Sequence, residues 1–295
     1  MAQRIPEPLP PEPPPPEGAP SGPRVSAILL TFNQAPEARR AIEALERSQQ
    51  RERLEILVVD CGSADEGPQL DTHYPGINMM RMPHHFGACK ALNIAVRTAK
   101  ADLVFFLSPY VEVGAETVFA LAAHLEENPT LAAVCPMLVD QEGKPAPQSF
   151  ADPLGNQMVA IEFPGADSIF TDYPSREALM VRKGFLRSMN YFDERFGEFG
   201  VDLDLAMQIR RAAKKIRVYP ELRVTRHPGT DPLQSDPLAE ADRIAGAGAL
   251  IGKYQGFFAG FTFRLAAILK ALVRFDLKLV SLLVQGQKLD GSQSA

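Results

Sequence analysis

The chain has 295 residues, 45% of them apolar and 23% charged, with a net charge of −5. That balance describes one large globular domain with appendages, and its acidic sign removes any bulk electrostatic reason to expect nucleic acid as a partner. Cys61, Cys89 and Cys135 lie too far apart for a metal-spaced pair and read as reduced thiols in a cytoplasmic protein; no apolar run has the length of a bilayer span.

Residues 1–23 are dominated by proline with a few glutamates. Proline fixes φ and lacks an amide proton, so a disordered tail of polyproline II character is expected. From Arg24 the pattern changes. VSAILLTF (25–32) is a short apolar run stopped by Asn33, as a buried strand would be. Pro36 opens a helix to about Ser48, with Ala38, Ile42 and Leu45 along one face. LEILVVD (54–60) predicts a second strand, 77–82 a short third, and 87–99 a helix with Leu92, Ala95 and Val96 on its apolar side. A strand over 102–107, a helix over 115–127 and a strand over 131–139 follow. Residues 140–176, rich in Pro, Gly and Asp, predict a long irregular excursion of the kind that serves as a lid or binding loop. A helix containing 204–215, a strand over 216–220, a linker and helical segment over 231–260, a last helix over 261–285 and a flexible tail over 286–295 complete the chain. Strands alternating with helices argue for an α/β protein with a mostly parallel sheet.

Four local signals occur in order. Thr31-Phe32-Asn33 ends the first strand, and VVDCGSAD (58–65) places Asp60 at a strand's carboxyl end before a small-residue turn. HFGACKALNIAV (85–96) opens a helix at Gly87, and MNYFDERFGEFGVDLDLAMQIRRAAKKIRVYPE (189–221) precedes Arg226-His227. In this order and spacing they resemble a rhamnosyltransferase-like family 2 glycosyltransferase over residues 24–230. The resemblance implies an inverting enzyme with the GT-A fold, a Rossmann-like three-layer sandwich. It also implies a nucleotide-sugar donor and a glycan or lipid-linked acceptor in cell-envelope polysaccharide synthesis.

By the same resemblance, Thr31, Asn33, Asp60, Lys90, Ser108 and Tyr110 face the nucleotide-sugar. Asp60 would accept a hydrogen bond from the imide N–H of a uracil-type base; as chemistry alone, it equally caps the Gly62-Ser63 turn. Lys90 reads equally as a solvated helix lysine, and Asn93 as a residue that holds a loop backbone. Asp202 matches the general base that deprotonates the acceptor hydroxyl, while two acids ahead of a helix are also what N-capping asks for. Asp204 is given that capping role. Arg226 and His227 match positions beside the diphosphate, and His84 and His85 are given no chemistry.

One departure stands out. Where the family ends a strand in Asp-x-Asp, this chain has Ser108-Pro109-Tyr110, and Val201 replaces the first acid of Glu-Asp-x-Asp-Leu. Hydroxyls are weak ligands for Mg²⁺ or Mn²⁺, so no metal ligands are assigned, although the resemblance implies a divalent ion. A transferase relying on cations such as Arg226 and His227 is the leading expectation. A glycosyltransferase-like protein that binds or scaffolds without turnover is the alternative. A sugar-phosphate nucleotidyltransferase would want a Gly-rich basic loop after the first strand, and TFNQAPEARR has none.

Residues 261–285 set Arg264, Lys270, Arg274 and Lys278 among Phe261, Leu265, Leu269, Leu272, Leu279 and Leu283. A basic amphipathic helix of this kind either lies in an anionic membrane interface or packs on the catalytic domain or a second subunit. The first option places the protein in the cytoplasm, peripheral on the inner face of the membrane.

Overall fold

The computed structural model describes residues 22–151, 157–161, 165 and 168–289. Nearly all of the expected proline-rich tail and the end of the expected flexible tail lie outside these residues. The first half of the chain alternates strand and helix: β1 (Val25–Thr31), α1 (Ala35–Glu46), β2 (Leu54–Asp60), a short α2 (Leu70–His73), β3 (Ile77–Arg81), α3 (Gly87–Thr98) and β4 (Leu103–Leu107). Then come β5 (Val111–Glu112), α4 (Thr117–Glu127), β6 (Leu131–Val139), β7 (Pro147–Phe150), β8 (Met158–Ala160) and β9 (Ile169–Thr171). The remainder is β10 (Ala178–Arg182), α5 (Lys183–Ser188), α6 (Val201–Arg211), β11 (Lys215–Arg226), α7 (Pro237–Gln255), α8 (Phe257–Val273) and α9 (Leu277–Gln285).

Among the described residues the main sheet runs β3-β2-β1-β4-β10-β6-β11-β5, with β9 also paired to β11. β3, β2, β1, β4, β6 and β11 point one way; β10, β5 and β9 run against them. Every residue of β2 and of β6 is buried, as expected where both faces of a sheet are covered and the sequence reads as a continuous apolar run. Phe105 faces one core with Leu29, Ile42 and Leu121, and Phe106 faces the other with Leu92 and Leu186. The parallel register sets Thr31 opposite Asp60, and Leu29 opposite Leu107. The carboxyl ends of β1, β2 and β4 therefore share one edge, where ligands bind in sheets of this kind.

Several elements differ from expectation: α6 stops at Arg211, short of the expected 215, because β11 begins at Lys215, and β5 and α5 were not anticipated. β10 is an unanticipated antiparallel strand between β4 and β6; four apolar residues after a loop carry no period, and only burial on both sides makes them a strand. The 140–176 excursion contains β7 and β8, which pair as a hairpin, and β9, which joins the main sheet through β11. β11 continues to Arg226 through an irregularity between Tyr219 and Arg223. The expected single helix over 261–285 is two, because Phe275 takes a left-handed φ of 57° and Asp276 accepts from Leu279 N at 3.0 Å, capping a new helix. Helix α8 folds back on α7 at close range, since a Cβ on Gly260 would sit 2.6 Å from the Gly248 carbonyl oxygen.

Candidate active site

A cavity of about 490 Å³ opens at the shared strand edge, and Thr31, Ser108, Tyr110, Asp202 and Arg226 all line it. Thr31 closes β1; its Oγ1 is buried and makes no hydrogen bond within the described structure. Asn33 sits just beyond, exposed, in the left-handed region at φ 53°. Its N–H donates to Ser63 Oγ at 2.9 Å and its Oδ1 accepts from Ala64 N at 2.7 Å, so it ties the first two strand-end loops together. Asp60 Oδ2 accepts from Gly62 N and Ser63 N, both at 3.2 Å, and caps that turn, while Oδ1 is buried and has no partner among the described residues. The Lys90 ammonium stands 5.8 Å from the centre of the Phe86 ring, away from the cavity lining.

Ser108 and Tyr110 build a neutral floor. Ser108 Oγ accepts from Tyr110 N at 3.3 Å. The Tyr110 hydroxyl accepts from Gln34 Nε2 at 2.6 Å and donates to the Thr230 carbonyl at 2.7 Å, and burial pushes its pKa up. Both side-chain oxygens are uncharged and already bonded. Among the described residues no group of three or more His, Cys, Asp or Glu is placed to hold a metal ion. This donor set does not fit Mg²⁺ or Mn²⁺, which favour charged oxygens.

The ionic groups of the cavity are paired arginines and carboxylates. Asp202 Oδ1 meets Arg176 Nη1 at 2.6 Å, and among the described residues Oδ2 accepts from Arg176 N at 3.2 Å. Arg176 Nη2 lies 3.4 Å from Glu198 Oε1, and Glu198 Oε2 accepts from Ala88 N at 2.7 Å, in the first turn of α3. Burial disfavours the charge on Arg176, but Asp202 and Glu198 outweigh it and hold its pKa above the ordinary value. Arg226 pairs with Glu177 at 2.9 and 3.2 Å. His227 turns instead to Glu112 at 2.9 Å and Gln141 at 3.1 Å, outside the cavity lining. His85, given no chemistry from sequence, lines the cavity; its Nδ1 accepts from Gly87 N at 3.1 Å and its ring meets Phe32 edge-on at 4.7 Å.

The capping expectation for Asp202 and Asp204 is corrected. Gly200, at φ 95°, starts α6 without a side-chain cap, and both acids lie inside the first turn. Asp204 is buried and faces α7, with Oδ1 at 2.7 Å from both the Tyr254 hydroxyl and Lys253 Nζ. Arg176, Glu177, Glu198 and Arg243 also line the cavity but went unread in the sequence. Ser175-Arg176-Glu177 would have been found had β10 been recognised. The start of an antiparallel strand lies beside the carboxyl ends of its parallel neighbours. Asn93 does hold a loop, through Phe192 O at 3.0 Å and Phe192 N at 2.9 Å. The three thiols are buried and burial pushes each upward, Cys89 and Cys135 to about 12, which favours the thiol over the thiolate, at Cys61 on the cavity wall as well.

Behind the cavity, Asp242 of α7 holds the acidic loop. Its Oδ2 accepts from Glu198 N at 2.8 Å and Phe199 N at 3.1 Å, and its Oδ1 accepts from Leu289 N at 3.1 Å. Burial pushes its pKa from 3.8 up to about 6, against the pull of those N–H groups. Between the two values the folded protein keeps a proton that the unfolded chain has lost. The Asp242 contribution to stability is therefore most favourable below the lower value and falls as pH rises through the higher one, by about 3 kcal/mol in all. Unfolding free energies measured across this window are expected to lose that component of their slope in Asp242→Asn.

Residues 26–174, half of the chain, match the sequence profile of glycosyl transferase family 2. No curated protein matches the chain. Among solved structures, GalNAc-T7 with UDP, GalNAc and Mn²⁺ is similar at 14% identity and a TM-score of 0.64, over 78% of this chain and 48% of that one. Residues 1–349 of S. aureus TarS in complex with UDP-GlcNAc align at 18% identity and a TM-score of 0.59, over 78% of this chain and 66% of that one. Mannosyltransferase PcManGT from Pyrobaculum calidifontis, with GDP-Man and Mn²⁺, aligns at 18% identity and a TM-score of 0.57, over 90% and 79%. The chain thus spans about half the length of the first of these and about two thirds of the second. At such identities the likeness speaks for the fold, a GT-A-like α/β sandwich. The matched segment runs from β1 to the residues just before Arg176 and carries the strand ends that frame the cavity. Fold and profile agree: the chain belongs to glycosyl transferase family 2.

Proposed function

We propose that the protein transfers a sugar from a nucleotide-diphosphate donor to a glycan or lipid-linked acceptor in cell-envelope polysaccharide synthesis, with inversion at the anomeric carbon. The observation that carries this reading is the convergence of Thr31, Ser108, Tyr110, Asp202 and Arg226 on one cavity. The acceptor hydroxyl hydrogen-bonds to Asp202 Oδ2, which has only a long contact to Arg176 N. As the acceptor oxygen bonds to the anomeric carbon, its proton passes to that carboxylate. The bond from the anomeric carbon to the phosphate oxygen breaks, and nucleoside diphosphate leaves with the electron pair. Arg176 holds Asp202 in place. Arg226, which keeps Glu177 as its partner, and Arg243, which keeps Glu240, line the same cavity and supply positive charge to the departing diphosphate in place of a metal. Thr31, whose Oγ1 has no partner among the described residues, lines the cavity and meets the base or ribose, and Asp60, buried behind that lining at the neighbouring strand end, is the second group of the base site. The reading includes a cytoplasmic site of action, peripheral on the inner face of a membrane.

Calorimetric titration with UDP, GDP and dTDP, each with and without Mn²⁺, tests the donor half. Binding of one of them with an affinity that Mn²⁺ leaves unchanged is expected. A strict requirement for Mn²⁺ would overturn the arginine-based diphosphate site, and no binding at all would overturn the transferase reading.

A further inference from the structure

Most of the large exposed apolar side chains lie in one place. Phe258, Phe261, Leu265, Leu269 and Leu272 are all exposed and follow one another at three- and four-residue spacing, so they share one face of α8. Gly260 and Ala271, the buried positions of the same helix, lie on the opposite side, against α7. The stripe ends at the turn into α9, where Val273 and Phe275 are 79% and 87% exposed. A contiguous apolar face of this kind marks a contact surface.

The charges around it select the partner. From Phe257 to Lys288 the chain carries five basic residues, Arg264, Lys270, Arg274, Lys278 and Lys288, against one acid, Asp276. That single carboxylate is occupied in capping α9. A second copy carries the same excess of positive charge over this hairpin, so pairing two hairpins would gather like charge. An anionic surface would neutralise them. No helix among the described residues is long and apolar enough to cross a membrane, so the hairpin has the composition of an element that lies on a bilayer.

We propose that the α8–α9 hairpin docks on an anionic lipid bilayer, with the Phe258–Leu272 stripe and Phe275 entering the headgroup boundary and Lys270, Arg274 and Lys278 meeting lipid phosphates. This rests on the peripheral position within the function proposed for the chain, and it assigns that position to named residues.

The test is sedimentation of the full chain with vesicles of phosphatidylcholine alone and of phosphatidylcholine mixed with phosphatidylglycerol, while light scattering reports its oligomeric state. Binding to the anionic vesicles and its release by salt are expected. Replacing Lys270, Arg274 and Lys278 together by glutamine is expected to weaken it roughly a hundred-fold, about five-fold per charge. Leu265→Ser with Leu269→Ser is expected to weaken it without changing nucleotide binding. Failure of a nucleotide-binding, folded protein to sediment with anionic vesicles overturns the proposal and leaves the transferase reading standing. A dimer that the two serine substitutions split into monomers overturns it in favour of a second copy. Vesicle binding by a folded protein that takes no nucleotide sinks the transferase reading instead and leaves the docking surface intact.

Discussion

Asp202→Asn is expected to lower kcat by about two to four orders of magnitude, the range for losing a positioned general base, while the donor nucleotide binds as before. The substitution keeps the shape of the side chain, so Arg176 Nη1, at 2.6 Å from Oδ1 in the native protein, still has an acceptor. What disappears is a group able to take the acceptor's proton, and with it one of the two charges facing Arg176. The other, Glu198 at 3.4 Å, remains. Steady-state kinetics with calorimetric titration of the nucleotide separate the two effects. Wild-type turnover in this variant would sink the assignment of Asp202. A parallel loss of nucleotide affinity would mean that the carboxylate holds the donor site together rather than receiving a proton.

Asp242→Ala is expected to cost about 3 kcal/mol of stability at neutral pH and to depress turnover as well. The side chain is 1% exposed and accepts three backbone N–H groups, those of Glu198, Phe199 and Leu289. Each buried donor left unpartnered costs about 1–3 kcal/mol, and removing the desolvated carboxylate returns part of that total. The loop has little slack, since a Cβ on Gly197 would stand 2.0 Å from Asp242 Oδ1. Without the grip, the Glu198 backbone is free to shift, and Glu198 is the second carboxylate on Arg176. Denaturant unfolding together with kcat measures both consequences. A variant as stable as the native protein would show that the loop is held by other contacts.

Much of the frame was legible before folding. Residues 54–60 and 131–139 are uninterrupted apolar runs, and β2 and β6 occupy those spans. Thr31, Ser108 and Tyr110 could be placed at strand ends because the runs before them stop there. The pairing of Asp202 was not legible. Its partner Arg176 lies in the turn just ahead of β10, a strand that has no sequence period and exists only because β4 and β6 flank it. Arg226 looked like a cation awaiting phosphate, yet Glu177 from that same unread region neutralises it. Arg243 and Asp242 lie in a stretch read as linker with helical character, where nothing local shows that α7 turns back toward the cavity. Periodicity records which face of an element is buried; it does not record what the element is buried against.

Helix α7 belongs to two neighbourhoods at once. One side carries Arg243 and Asp242 into the cavity region, and the other receives α8 at the Gly248–Gly260 approach. The loop ahead of it supplies Asp231, Pro232 and Leu233 to the same cavity. A chain cut after His227 would therefore leave the cavity open to solvent on one side and strip Glu198 and Phe199 of their acceptor. The C-terminal quarter is one wall of the cavity, and a smaller version of the protein would have to be made by altering the outer face of α8 while leaving α7 in place.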